Sequence, residues 1–244
     1  MKRLLLTLCY DGTNYHGWQV QKNADTIQSK IQDALQEVLN FRPNVTGCSR
    51  TDAGVHANMF CCHFDCDTNI SNQKLPMALN AHLPSDIRVL KCEQVDNDFH
   101  SRYSCKSKNY IYKIYTGNIA SPFSYKYSLH YAKDIDVNLL NEQAKDFIGQ
   151  YDFSAFCASG SSVDDKTRTV TQFDVYQKDD MIYFSVTADG FLYNMVRIMV
   201  GTLLSINEGK IPKNSIKNII MSKQRSNAGK TAPAHALYLN RVNY

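Results

Sequence analysis

Residues 169–187 read TVTQFDVYQKDDMIYFSVT. Two runs rich in Val, Ile, Phe, Tyr and Thr flank Asp179-Asp180, which predicts strand 169–176 turning at the Asp pair into strand 181–187. A hairpin joins neighbouring strands without a crossover helix, so this segment favours antiparallel sheets over a doubly wound parallel one.

The surroundings extend that pattern. Upstream, residues 110–116 read as a strand and 137–148 as a helix capped by Asp136 and closed by Gly149. Downstream come a strongly apolar helix over 191–206, a short helix over 216–221 and a strand over 237–242. The first half has the same make-up: strand 4–10 ends at Asp11-Gly12, and Ile27, Ile31, Ala34, Leu35, Val38 and Leu39 repeat at helical spacing within 26–40. Strands follow at 59–64 and 87–95, with a helix over 75–83 that carries Pro76 in its first turn. The fold class is α+β, with mainly antiparallel sheets. A boundary near 104–107 divides the chain into an N-terminal α+β domain, 1–105, and a C-terminal α+β domain, 106–244.

A chain of 244 residues with 43% hydrophobic content can fill such cores. Its apolar stretches are too short to span a membrane or form a signal-peptide core, and its eight cysteines are scattered without an export signal. The expectation is a cytoplasmic protein with reduced thiols. A net charge of +4 permits a nucleic-acid partner without demanding one.

Residues 47–57 form a polar, glycine-bounded loop, Gly-Cys-Ser-Arg-Thr-Asp-Ala-Gly-Val-His-Ala, ahead of the strand at 59–64. Asp52 stands between the cation Arg50 and the hinge Gly54, so the loop can present a carboxylate to a ligand. An ordinary Asp-x-Gly turn accounts for the same spacing. The order Ser49-Arg50-Thr51-Asp52-Ala53-Gly54-Val55-His56, however, closely resembles the active-site loop of the tRNA pseudouridine synthase A family. The resemblance continues through Tyr10-Asp11-Gly12, Tyr15-His16-Gly17-Trp18-Gln19, residues 80–83, Asp98-Phe99-His100-Ser101-Arg102, residues 110–115 and Met195-Val196-Arg197-Ile198-Met199-Val200-Gly201.

That resemblance implies the pseudouridine synthase fold with its cleft between domains. It implies isomerisation of uridine at positions 38, 39 and 40 of the tRNA anticodon stem-loop, by a homodimer needing neither metal nor organic cofactor. Asp52 matches the catalytic carboxylate, acting at the sugar as a nucleophile or as a proton acceptor. Tyr110 matches the tyrosine that stacks on the target uracil. Arg50 matches the arginine that takes the place of the extruded base, or else makes a phosphate contact. Arg197, inside an apolar helix where an unpaired guanidinium is costly, is matched to the partner of Asp52; an arginine reaching solvent at the helix edge is the alternative. Leu237 would close the apolar wall of the uracil pocket. Arg102 and Lys108, with His100 and Lys106, and a second group of Lys223, Arg225 and Lys230, would track the RNA backbone. Asn109 and Ala236 depart from the family pattern, which has a basic residue and a glycine there.

Other functions fit less well. A catalytically inactive RNA-binding protein of the same fold would not require Arg50, Asp52, Tyr110 and Arg197 together. Zinc binding could draw on Cys48, His56, Cys61, Cys62, His63 and Cys66, but consecutive Cys61 and Cys62 point to opposite strand faces and no paired Cys-x-x-Cys knuckles occur. No Gly-x-Ser-x-Gly hydrolase elbow is present. The connection at 159–162 has no phosphate-loop lysine and reads as a mobile link without nucleotide binding.

Overall fold

In the computed structural model, which describes residues 1–161 and 163–244, strand β1 (Lys2–Tyr10) is followed by helix α1 (Ile27–Leu39), a short β2 (Thr46–Gly47), β3 (His56–Cys66), α2 (Leu75–His82) and β4 (Ile87–Val95). The second run comprises β5 (Ser107–Tyr115), β6 (Leu129–His130), α3 (Val137–Ala144), β7 (Gly149–Asp152), β8 (Thr167–Lys178), β9 (Met181–Ala188), α4 (Met195–Asn207) and α5 (Ile216–Ser222), before β10 (Leu237–Asn243) ends the chain. Two compact units result, Met1–Lys106 with Tyr238–Tyr244, and Ser107–Leu237. The expected link at 159–162 includes Ser162, which lies outside the described residues.

In the first unit β1 pairs antiparallel with both β3 and β4, and β10 joins β3 in parallel. The register sets Leu4, Leu6 and Leu8 opposite Phe64, Cys62 and Phe60, and all six are buried. Residues 60–64 of β3 are buried without a break, the mark of a central strand covered on both faces. This is why Cys61 and Cys62 both lie in the interior although they face opposite ways. Helix α1 starts at a reciprocal cap: the Thr26 hydroxyl accepts from the Ser29 N–H and the Ser29 hydroxyl from the Thr26 N–H, each at 3.3 Å. It buries Ile27, Ile31, Ala34 and Leu35, the stripe that its period predicts, and ends on Asn40 at φ 59°.

The second unit is built on the hairpin. Strands β8 and β9 meet across Lys178 and Met181, with Asp179 at φ 53° in the turn, and β9 continues antiparallel onto β5. Burial alternates along β5 and β9, so one face of this sheet is covered. Phe147 meets Phe156 edge-on at 5.0 Å and lies 5.6 Å from Phe173, an aromatic centre between α3 and the sheet.

Two helix boundaries differ from expectation. Helix α3 stops at Ala144, a single 3-10 turn occupies Lys145–Phe147, and Gly149 opens β7 at φ 133°. From that turn the Lys145 ammonium donates to the Phe173 carbonyl at 2.8 Å and to the Asp174 carboxylate, joining it to β8. Helix α4 begins at Met195 because Asn194 is left-handed, φ 59°, which ends the helical pattern of Phe191 and Leu192. His56 and Ala57, expected in the loop, belong to β3, paired with Tyr238 and Leu239.

Candidate active site

The Asp52 loop is clamped by the segment that follows β1. The Trp18 N–H donates to the Thr51 carbonyl at 3.1 Å, the Gly54 N–H to the Tyr15 carbonyl at 3.2 Å, and the Val55 N–H closes a turn on the Asp52 carbonyl at 3.2 Å. Tyr10 and Thr51 share a hydroxyl hydrogen bond of 2.8 Å, and the Gly12 N–H donates to His56 Nδ1 at 3.0 Å. Backbone approaches are closer than a side chain allows. A Cβ on Gly12 would lie 2.0 Å from the Val55 carbonyl oxygen, and one on Gly17 (φ 84°) would lie 2.3 Å from the Thr51 carbonyl oxygen. Trp18 stacks on Phe60 with ring centroids 4.1 Å apart, fixing this segment to β3.

Asp52 is therefore displayed, partly exposed, from a loop whose backbone has little freedom, and Arg50 beside it is exposed. That is suitable geometry for a carboxylate that must meet a ligand atom at a fixed place. The residues that hold it, Tyr10, Gly12, Gly17 and Trp18, were visible in the sequence as two glycine motifs. Nothing local to them indicated that they grip residues 51–55.

Arg102 is exposed on the same unit. The Arg102 and Tyr103 N–H groups both donate to His100 Nδ1 at 3.2 Å, His100 stacks on Tyr103 at 4.3 Å, and the Arg102 guanidinium lies 5.8 Å from the Tyr103 ring centre. His63 anchors this turn from below. The Ser101 N–H donates to His63 Nδ1 at 3.1 Å and the Ser101 hydroxyl donates to the Thr46 carbonyl at 2.6 Å. Burial, helped by the nearby charge of Arg3, pulls His63 down to about 4, so the imidazole is neutral at pH 7.

In the second unit Lys108, Tyr110, Tyr112 and Ile114 share the buried face of β5. Tyr110 is 6% exposed and meets Phe191 edge-on at 5.0 Å, and Lys108 is 8% exposed. Asn109 points the other way and donates to Ser185 Oγ and Thr187 Oγ1, both at 3.0 Å, tying β5 to β9. The residue that departs from the family pattern thus has a structural task here. Leu237 is buried at the end of the 3-10 turn Ala234–Ala236.

Arg197 sits in the first turn of α4. Its Nε donates to the Ala232 carbonyl at 2.7 Å and its Nη1 to Asn194 Oδ1 at 2.7 Å, while the Ala232 N–H donates to the Arg197 carbonyl at 3.1 Å. Gly201, one turn on, lets residues 229–232 lie directly on the helix: a Cβ there would be 1.7 Å from the Lys230 carbonyl oxygen. Arg197 and Gly201 together form the seat for that segment. Asn194 was not foreseen; its left-handed backbone and its contact with Arg197 arise only once α4 is placed. Of the C-terminal basic group, Lys223 pairs with Asp152 at 2.8 Å and Arg225 turns inward to the Gly229 carbonyl at 2.9 Å and Thr231 Oγ1 at 3.1 Å. Lys230 stays exposed.

The α+β architecture and the carboxylate loop accompany a family match over most of the chain. The model of the family described as tRNA pseudouridine synthase fits residues 8–104 and 143–244, segments that contain Arg50, Asp52, Arg102, Arg197 and Leu237, with Lys108 and Tyr110 between them. This chain belongs to the tRNA pseudouridine synthase family. Among its relatives are proteins named tRNA pseudouridine synthase A from Ruminiclostridium cellulolyticum, 46% identical, and from Clostridium acetobutylicum, 42% identical, each aligned over 100% of both chains. A solved structure of a Cbf5-Nop10-Gar1 complex covers 96% of this chain and 57% of its own at 11% identity and a TM-score of 0.37, too slight a likeness to bear on the site.

Proposed function

We propose that the chain isomerises uridine to pseudouridine at positions 38, 39 and 40 of the tRNA anticodon stem-loop, with Asp52 as the catalytic carboxylate. Membership of the tRNA pseudouridine synthase family makes it an isomerase acting on uridine in tRNA. The observation that supports Asp52 in particular is its display from a loop pinned through Thr51, Gly54 and Val55.

The chemistry breaks the bond from ribose C1′ to uracil N1, turns the base and rejoins it through C5. Substrate and product are isomers, so the balance calls for no oxidant, reductant or co-substrate. Electron deficiency develops at the sugar when the bond breaks. An ionised carboxylate answers it either by attacking the sugar or by accepting a proton from it, as carboxylates do in glycoside hydrolysis. In this proposal Tyr110 stacks on the uracil, Leu237 lines its apolar side, Arg50 takes up the space of the flipped base, and Arg197 supplies positive charge. Arg102 and Lys108 meet the RNA backbone. The working form is a homodimer in the cytoplasm.

Tritium release from tRNA labelled at uracil C5 tests this. Wild-type protein releases tritium at adjacent anticodon-arm uridines, and Asp52→Asn releases none while still binding tRNA. Turnover by Asp52→Asn removes Asp52 from the role. Tight tRNA binding by a wild type that releases nothing points instead to an inactive RNA-binding protein.

A further inference from the structure

The turn that follows β4 holds an aromatic ring open to solvent on a fixed base. Tyr103 is 77% exposed, yet its ring stacks on His100 with centroids 4.3 Å apart and planes 28° from parallel. His100 is itself held on several sides. Its Nδ1 accepts the Arg102 and Tyr103 N–H groups at 3.2 Å, its N–H donates to the Ser104 hydroxyl at 3.0 Å, and its carbonyl accepts the Ser104 N–H at 2.8 Å. The buried His63 ring meets His100 edge-on at 5.0 Å. Stacking on His100 takes one face of the Tyr103 ring; at 77% exposure the rest is open, and the Arg102 guanidinium stands 5.8 Å from the ring centre.

A ring held in water buries little apolar surface and so adds little to the fold. What it offers is a preformed stacking surface beside a cation, which matches a flat base joined to a phosphate. Its place in the first unit fits that ligand. The Ser101 hydroxyl donates to the Thr46 carbonyl at 2.6 Å, and Thr46 stands six residues before Asp52. The chain between Thr46 and Asp52 therefore spans at most about 20 Å, the rise of roughly six stacked nucleotides.

We propose that the Tyr103 ring is a stacking platform for one unpaired base of the tRNA anticodon loop, with His100 as its backing and Arg102 on the adjoining phosphate. The inference rests on the functional assignment above and adds to it a second base-binding position, distinct from Tyr110 and the target uracil. A base inside a duplex has its faces covered by its neighbours, so only a splayed base can use the platform. Every base has such a face, so the platform selects loop over duplex and not one sequence over another.

Filter binding at low salt, with the anticodon stem-loop and with a fully paired duplex of the same stem, tests this. Tyr103→Ala is expected to bind the stem-loop about tenfold more weakly, within the range that one base-aromatic stack contributes, and the duplex as the wild type does. Tyr103→Phe keeps wild-type affinity for both, because the ring is what stacks. The deficit of Tyr103→Ala is the same at every salt concentration, since no phosphate contact is lost. Wild-type affinity in Tyr103→Ala, an equal loss in Tyr103→Phe, or an equal loss on stem-loop and duplex overturns the proposal. Failure of the functional assignment looks different: the wild type itself then makes no pseudouridine in tRNA, whatever the Tyr103 variants bind.

Discussion

Tyr110 is assigned a stacking role, and its substitutions separate the ring from the hydroxyl. Tyr110→Phe keeps the face that a base stacks on and should retain most tRNA binding, whereas Tyr110→Ala should weaken the flipped state by about 1–3 kcal/mol. Equal affinities of the two variants, measured by filter binding, would count against stacking. His63 makes a second prediction at this scale. Its folded pKa is depressed to about 4 from an ordinary 6.5, so the folded state binds fewer protons than the unfolded chain between those values. The stabilisation is complete above pH 6.5 and is lost as the pH falls through about 4. Urea midpoints at pH 7 and pH 5 should drop less for His63→Gln than for the wild type. The cause is geometric as well as dielectric: protonated Nδ1 would face the Ser101 N–H that it now accepts. None of this was legible from residues 98–102, whose resemblance to the family marks a turn but not the imidazole that bonds it.

Among the elements, α4 carries structural support together with Arg197, a residue the proposed function uses. Its N-terminus is set by left-handed Asn194, and its Gly201 admits the backbone of residues 229–232 at a distance no side chain tolerates. Gly201→Ala should therefore lower unfolding stability by about 1–3 kcal/mol, although alanine is the better helix former, because the Lys230 carbonyl must move. Denaturant melts check the sign: a stabilised variant would mean that residues 229–232 yield without cost. Because Ala232 bonds Arg197 through both its N–H and its carbonyl, the variant should also reduce tritium release. Helical periodicity and caps made α1 and the hairpin β8–β9 readable, since both depend on residues a few positions apart. The end of α3 was not readable: the helix tightens into a 3-10 turn at Lys145–Phe147, where the Lys145 side chain bonds a carbonyl and a carboxylate on β8, distant in sequence.

For the whole molecule, the net charge of +4 is small for a protein that handles an anionic polymer. In the proposed function its affinity comes from local placement of cations such as Arg50 and Arg102, both exposed. Affinity for tRNA should fall linearly on a logarithmic scale with salt, and Arg102→Gln should reduce the slope by about one counterion's worth without changing which uridines are modified. An unchanged slope would remove Arg102 from the RNA track. Sedimentation equilibrium at micromolar protein should give twice the chain mass if the working form is a homodimer, and a single chain mass in the presence of tRNA would sink that part of the proposal.

The sequence by itself determined the α+β class, most strands and helices, and the motif that places the chain in its family. These signals are local, carried by alternation, helical period, caps and an unbroken run of loop residues. Tertiary structure alone decided that β10 returns to pair with β3, that Gly12 and Gly17 grip the Asp52 loop, and that Gly201 and Arg197 seat residues 229–232. Each of those joins chain segments far apart in sequence through backbone contact. Backbone contact leaves no periodic trace in the residues that make it, beyond a glycine where a side chain would not fit.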